Sequence, residues 1–171
     1  RSMSFGSQDE WLAGSAPCPQ VNKLSPRDQG KVRENRFELT NTKADVVFAF
    51  YGYNESWAGE EGLPAFRKNA EDFVKHTLAQ KYNGKSAPKL VLFSPTAHEF
   101  IDSPNLPTKA AVDASNARLK AYSKVLEEVA KANGAMYVDL LTPTLEAFGK
   151  GQPHTINGIH LNPNGENFVA S

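Results

Sequence analysis

The sequence has one cysteine, no long apolar run and no excess of either charge, and each absence excludes a class of protein. Cys18 is the only cysteine among 171 residues, so no internal disulfide can form and no Cys-x-x-Cys motif exists. No apolar run approaches the roughly 20 residues that a membrane-spanning helix needs, which argues against membrane insertion. Lys plus Arg and Asp plus Glu number 19 each, so net charge does not favour nucleic acid as a partner.

Signals for metals and cofactors are missing as well. His76 lies in a predicted helix and His154 follows a proline in a predicted loop; neither has ligand-type spacing to another histidine or a cysteine. No glycine-rich or Ser/Thr-rich phosphate loop opens a helix, which argues against a flavin- or nucleotide-binding domain. The sequence therefore predicts no metal and no cofactor.

What the sequence does contain is the composition of one globular domain spanning residues 1–171. Hydrophobic residues make up 40% and charged residues 22%, a mix typical of soluble folds. Apolar runs rich in β-branched and aromatic residues alternate with stretches of helical periodicity, which predicts an α/β fold with a parallel sheet and helices on both faces. The predicted strands are 3–5, 45–52, 89–93 and 136–138, with those at 45–52 and 89–93 fully buried; the predicted helices are 63–82, 109–133, 141–148 and one from residue 164.

Polar and glycine residues follow three of these elements in a pattern that suits acyl transfer. Gly6 follows the first strand, Asn54 lies just beyond the second, and His160 lies in the loop before the last helix. In parallel sheets, chemistry collects beyond the carboxyl ends of the strands. A backbone N–H and an asparagine amide can bind the oxyanion formed when an ester is attacked, and a histidine can act as the base.

Two short motifs resemble those of the SGNH/GDSL esterases. Gly52-Tyr53-Asn54-Glu55 resembles the family's G-x-N-D block, and Asn157-Gly158-Ile159-His160 resembles its D-x-x-H block. The G-x-N-E-S and N-G-I-H-L forms are similar to those of a bacterial subgroup that occurs within larger exported proteins. The resemblance implies a flavodoxin-like three-layer α/β/α sandwich that hydrolyses small-molecule or carbohydrate esters, and a secreted or periplasmic location.

The resemblance also implies roles for individual residues. His160 becomes the general base, Asn157 its supporting residue, and Gly6 and Asn54 the oxyanion hole. Tyr53, Glu55 and His98 are predicted to contact the substrate. Two other choices stay open at this point. His98 and Glu99 either line the substrate mouth or belong to a solvated loop, and Trp57 either stacks on a sugar or covers the sheet edge.

The family's G-D-S nucleophile block does not occur in this sequence. Phe5-Gly6-Ser7 is the nearest mimic, but residues 8–43 hold no strand-like run to supply the crossover that Ser7 as nucleophile requires. Strand 3–5 therefore fits the second strand of the fold, with the first strand and its serine upstream. On this interpretation the chain is a domain truncated at its N-terminus, part of a larger polypeptide, and folds poorly alone because strand 45–52 loses a neighbour.

Asn157 departs from the aspartate of the usual motif. Asparagine can orient a histidine ring but supplies no negative charge. Asp139 and Asp102 are the nearest alternative carboxylates, although a helix cap or a loop position is the simpler explanation of each. The substitution keeps open a second function, a catalytically degenerate domain that binds a glycan or a protein.

Overall fold

The computed structural model describes residues 39–171, beginning with a helical turn at residues 39–41. Three strands alternate with four α-helices in this part of the chain. They are β1 (Val46–Phe50), α1 (Leu63–Leu78), β2 (Lys89–Phe93), α2 (Lys109–Asn133), β3 (Met136–Val138), α3 (Leu141–Ala147) and α4 (Pro163–Ala170). Two short 3-10 helices, Glu55–Ala58 and Glu60–Gly62, lie between β1 and α1.

The three strands form one parallel sheet in the order β1-β2-β3. Val47 pairs with Leu90 and Val91 with Met136, so β2 is central within the described sheet. Parallel pairing brings the carboxyl ends of all three strands to one edge, as the sequence predicts. The α/β class with a parallel sheet is confirmed.

Capping residues fix both ends of α2 and the start of α4. The Thr108 hydroxyl accepts a hydrogen bond from the Ala111 N–H at 3.3 Å and begins α2. Gly134 ends α2 with φ of 74°, a left-handed conformation that suits glycine. Asn162 begins α4, accepting from the N–H groups of Asn164 at 2.9 Å and Gly165 at 3.1 Å.

One face of the sheet forms the hydrophobic core together with α1 and α2. Val47 and Ala49 of β1 point into it with Leu90 and Leu92 of β2. The helical faces predicted from periodicity supply the other side of this core: Phe66, Ala70, Phe73 and Val74 from α1, and Tyr122, Val125, Leu126 and Val129 from α2.

The opposite face of the sheet remains partly exposed. Val46, Phe48 and Phe50 are between 37% and 46% exposed, and β1 alternates exposed and buried residues. The prediction that β1 is fully buried is therefore wrong for the described structure, since α1 and α2 cover the same face. β2 comes closer to the predicted full burial, with three consecutive buried residues at its centre.

Several predicted features lie outside the described residues. These are strand 3–5, Gly6, Ser7 and Cys18. Within residues 39–171, no helix is long and apolar enough to cross a membrane.

The core predicts a large stability effect at Leu126, a fully buried side chain on α2. Leu126→Ala removes three buried carbon atoms and leaves a cavity, so we expect the free energy of unfolding to fall by about 2–5 kcal/mol. Urea unfolding followed by circular dichroism measures this change. Lys120→Ala, at an exposed position on the same helix, is the matched control and should shift stability by about 0.5 kcal/mol or less. An equal loss in both variants would contradict the packing described here.

Candidate active site

A pocket of about 270 Å³ lies beyond the carboxyl ends of the strands. Tyr53 and Asn54, from the loop after β1, form part of its wall, and Ile159 and Leu161, which flank His160, form another part. The remaining lining comes mainly from the ends of the strands and from the loops after β2 and β3: Phe50, Ser94, Pro95, Thr96 and Leu140. Residues of the two motifs singled out in the sequence thus line one pocket, although more than 100 residues separate them. His160 itself lies between two lining residues and is not one of them.

The loop carrying Asn54 is a tight turn held by its neighbours. The Glu55 carboxylate accepts a hydrogen bond from the Gly52 N–H at 2.9 Å, and the Ser56 hydroxyl donates to the Tyr53 carbonyl at 2.6 Å. Asn54 itself is exposed, and its side chain makes no capping hydrogen bond to the 3-10 helix that it begins. Its amide is therefore available to a ligand in the pocket.

His160 is exposed and is oriented by Asn157. Its Nδ1 lies 3.1 Å from the Asn157 Oδ1. That oxygen also accepts hydrogen bonds from the backbone N–H of His160 at 3.0 Å and of Ile159 at 3.3 Å. Because backbone N–H groups only donate, they require the oxygen of the amide, rather than its NH₂ group, to occupy this position.

This arrangement sets the tautomer of His160. An amide oxygen can only accept, so Nδ1 must carry the proton, and Nε2 is left unprotonated as a hydrogen-bond acceptor. In serine hydrolases an asparagine in place of the aspartate is harmful when it selects the wrong tautomer. Here the backbone prevents that outcome, and Asn157 keeps the orienting role of an aspartate without its charge.

Gly158 allows the loop to take this shape. Its φ is 89°, and a Cβ built on it would lie 2.8 Å from the Glu99 carbonyl oxygen and 2.9 Å from His98 Nε2. A side chain at this position would therefore strain the backbone and collide with the loop after β2. The glycine between Asn157 and His160 has a packing reason as well as a conformational one.

His98 and Glu99 are buried rather than solvated, so the solvated-loop interpretation of these two residues is wrong. They are 5% and 3% exposed. The His98 ring packs between Tyr53, with ring centroids 6.4 Å apart, and Gly158 of the His160 loop. Burial and the positive charge of Arg118 lower the pKa of His98, which keeps its ring neutral.

Sequence comparison identifies the family to which this architecture belongs. A sequence model described as the GDSL-like lipase/acylhydrolase family matches residues 11–167. The chain belongs to this family. No curated protein matches the sequence significantly.

Solved structures of similar fold include several esterases, at low sequence identity. A mutant of Axe2, an acetyl-xylooligosaccharide esterase from Geobacillus stearothermophilus, has a TM-score of 0.57 at 18% identity, covering 80% of this chain and 62% of that one. The M. smegmatis aryl esterase has a TM-score of 0.54 at 14% identity, with coverages of 85% and 67%. A peptidoglycan O-acetylesterase has a TM-score of 0.59 at 16% identity, with coverages of 86% and 41%.

At these identities the likeness shows the fold alone. The chain spans about three fifths of the length of the Axe2 mutant. Gly6 and Ser7, the local candidates for the family's N-terminal oxyanion donor and nucleophile, lie outside the described residues.

Asp139 and Asp102, the two carboxylates considered as alternatives to Asn157, lie in a helix cap and in an exposed loop. Asp139 Oδ1 accepts from the Thr142 N–H at 3.1 Å at the start of α3, the pattern of a helix cap. Burial acts to raise the pKa of Asp139, but the hydrogen bonds from Thr142, Leu141 and Ser94 outweigh it and lower the pKa. Asp102 is exposed in the loop before α2.

Of the three residues predicted to contact the substrate, two line the pocket and one lies beneath the His160 loop. Tyr53 and Glu55 line the pocket, although the Glu55 carboxylate already binds the Gly52 N–H. His98 lies beneath the His160 loop, against Gly158. Trp57 is 64% exposed beside the turn, with the Arg118 guanidinium 5.5 Å from its ring centroid. Within residues 39–171, no cluster of His, Cys, Asp and Glu side chains is suited to hold a metal.

Proposed function

We propose that this domain hydrolyses carboxylic esters through an acyl-enzyme, with carbohydrate O-acetyl esters as the substrate class. The observation that carries the proposal is the shared pocket: it joins the free Asn54 amide to the loop on which Asn157 orients His160. Membership of a family of lipases and acylhydrolases supports the ester chemistry. The acetyl esterases among the similar structures support the choice of acyl group.

In the proposed mechanism a serine hydroxyl attacks the ester carbonyl. Nε2 of His160 takes the hydroxyl proton, and the developing oxyanion accepts a hydrogen bond from the Asn54 amide and from the Gly6 N–H. The tetrahedral intermediate collapses, the leaving alcohol takes the proton from His160, and the acyl-serine remains. Water, deprotonated by His160, then attacks the acyl-serine; the bond to the serine oxygen breaks, that oxygen takes the proton back from His160, and the carboxylic acid is released.

The serine is proposed to come from upstream of Arg1, because no G-D-S block occurs in the sequence. The proposal accordingly describes a domain within a larger polypeptide. A secreted or periplasmic location, implied by the resemblance of its motifs, is part of the same proposal.

An assay of acetate release tests the proposal. We expect the polypeptide that includes the upstream serine to release acetate from acetylated xylo-oligosaccharide and from an aryl acetate. Binding of the oligosaccharide without release of acetate would instead favour the second candidate, a degenerate binding domain. The orientation of His160 by Asn157 favours the enzyme, since a pure binding domain has no need of a fixed tautomer.

Asn157→Asp is expected to increase kcat by about 3–10-fold. A carboxylate keeps the same three hydrogen-bond donors and adds a negative charge 3.1 Å from Nδ1, which stabilises the imidazolium formed during the reaction. The site is exposed, so the gain is modest.

Asn157→Ala provides the opposite test at the same position. It removes the acceptor that orients His160, and kcat should fall by about 10²-fold. Steady-state kinetics on the three proteins checks the order Asp, Asn, Ala. An Ala variant as active as the wild type would show that Asn157 does not orient the base.

A further inference from the structure

A buried carboxylate lies under the loop that carries His160. The Glu99 side chain is 1% exposed and follows β2. Its oxygens accept hydrogen bonds from the Thr155 hydroxyl at 2.6 Å, the Thr155 N–H at 2.8 Å, the His154 N–H at 3.1 Å and the Gly149 N–H at 3.4 Å. All of these donors belong to the segment leading to His160. The Glu99 side chain therefore holds several residues of that segment together by hydrogen bonds.

Glu99 also reaches the tip of the loop. Its backbone N–H donates to the Gly158 carbonyl at 2.8 Å. The Thr155 hydroxyl, which donates to the Glu99 carboxylate, accepts from the Gly158 N–H at 3.0 Å. Gly158 follows Asn157, the residue that orients the histidine, and a bridge between Thr155 and Leu161 closes the loop. A displacement of Glu99 would therefore be transmitted to His160.

The loop that carries Glu99 is itself firmly held. The Ala97 N–H donates to the Thr144 hydroxyl at 2.8 Å. The Asn116 side chain binds the backbone of His98 twice, accepting from its N–H at 2.8 Å and donating to its carbonyl at 2.9 Å. Asn116 lies on α2, the longest helix among the described residues, so the contacts run from the core to Glu99 and from there to the His160 loop.

The ionised form of Glu99 suits this role. Burial by itself raises the pKa of a carboxyl group, but the hydrogen bonds from Thr155, His154 and Gly149 outweigh it and hold the pKa of Glu99 below its usual value. A carboxylate accepts at both oxygens, whereas a protonated acid or an amide offers a donor in place of one acceptor. The His154 ring, with Nδ1 3.7 Å from Glu99 Oε1, is the nearest titratable partner.

We propose that Glu99 is a positioning residue that holds the His160 loop against the loop after β2, which Asn116 anchors to α2, and thereby fixes the position of His160 beside the pocket. The catalytic consequence rests on the proposed esterase function, but the ordering of the loop does not. A misplacement of about 1 Å in a catalytic group can lower the rate by about 10²-fold.

Glu99→Gln tests the role, with Glu146→Gln, at an exposed position on α3, as the matched control. The amide nitrogen introduced by Glu99→Gln meets backbone N–H donors and cannot accept from them. We expect the Thr155 and Gly158 amide hydrogens to exchange about 10–100-fold faster than in the wild type, while the amides of α2 are unchanged. In the polypeptide that includes the serine, kcat should fall about 10–100-fold, with KM altered by about 3-fold or less.

Thr155 supplies a second, smaller change. Thr155→Val removes the hydroxyl that links Glu99 to Gly158 and should reproduce the faster exchange of Gly158, whereas Thr155→Ser should rescue it. Unchanged exchange in both Glu99→Gln and Thr155→Val would overturn the proposal, and so would faster exchange throughout α2. If the wild-type protein hydrolyses no ester, the proposed function fails, while the exchange comparison still decides the role of Glu99.

Discussion

His160→Ala is expected to lower kcat by about 10⁴-fold or more in the polypeptide that includes the nucleophilic serine. Without an imidazole the serine hydroxyl has no base, and the leaving alcohol has no proton donor. His160 is exposed, and the hydrogen bond from its side chain goes to Asn157 alone among the described residues, so the substitution should hardly affect stability. Initial rates of acetate release measure the loss.

The control for this variant is His76→Ala, which removes an imidazole from α1, outside the pocket. Its activity should stay within about 2-fold of the wild type, since a partly buried residue away from the site affects rate only through stability. Circular dichroism of both variants establishes that they are folded. If His160→Ala kept even a tenth of the wild-type rate while folded, the assignment of the general base would be wrong.

Asn54→Ala is expected to lower kcat by about 10²–10³-fold and to leave KM nearly unchanged. One oxyanion donor contributes this much because its hydrogen bond strengthens as charge develops in the transition state. In the structure Asn54 lines the pocket, and its side chain makes no capping hydrogen bond to the 3-10 helix that it begins, so its removal should leave the turn intact.

Two further variants sharpen the test at this position. Asn54→Asp places a negative charge next to the oxyanion and should be at least as damaging as alanine. Asn167→Ala, at an exposed position on α4, is the matched control and should retain full activity. A rise in KM with kcat unchanged in Asn54→Ala would show that the amide binds the substrate in its ground state instead.

The bounds of β2, α2 and β3 were predictable from the sequence. The strong local signals were the Ser94-Pro95 stop after β2, the apolar stripe of α2, and the glycine at position 134. These signals act within a few residues, and the structure confirms each of the three elements at its predicted bounds.

The burial of β1 was not predictable in the same way. A continuous apolar run is consistent with burial on one face or on both, and only the positions of α1 and α2 on the same face distinguish the two. The sequence pattern therefore predicted the strand correctly but not its partly exposed residues Val46, Phe48 and Phe50.

In the candidate site, too, residues found from local motifs were predictable, and those that depend on distant parts of the chain were not. Asn54 and His160 were found from short motifs, and the structure brings their loops to one pocket. Glu99 was singled out, but its burial under the His160 loop was missed, because that burial depends on donors from Gly149, His154 and Thr155, about 50 residues further along the chain. The one available signal was a carboxylate close to the end of a predicted parallel strand, where functional residues collect.

Fluorophosphonate labelling with peptide mapping tests the central claim most directly. It is carried out on residues 1–171 and on a polypeptide extended upstream, each with and without His160→Ala. The account predicts labelling of a single serine upstream of Arg1 in the extended polypeptide, and its loss in His160→Ala. Labelling of Ser7, or no labelling of the folded extended polypeptide, would contradict it.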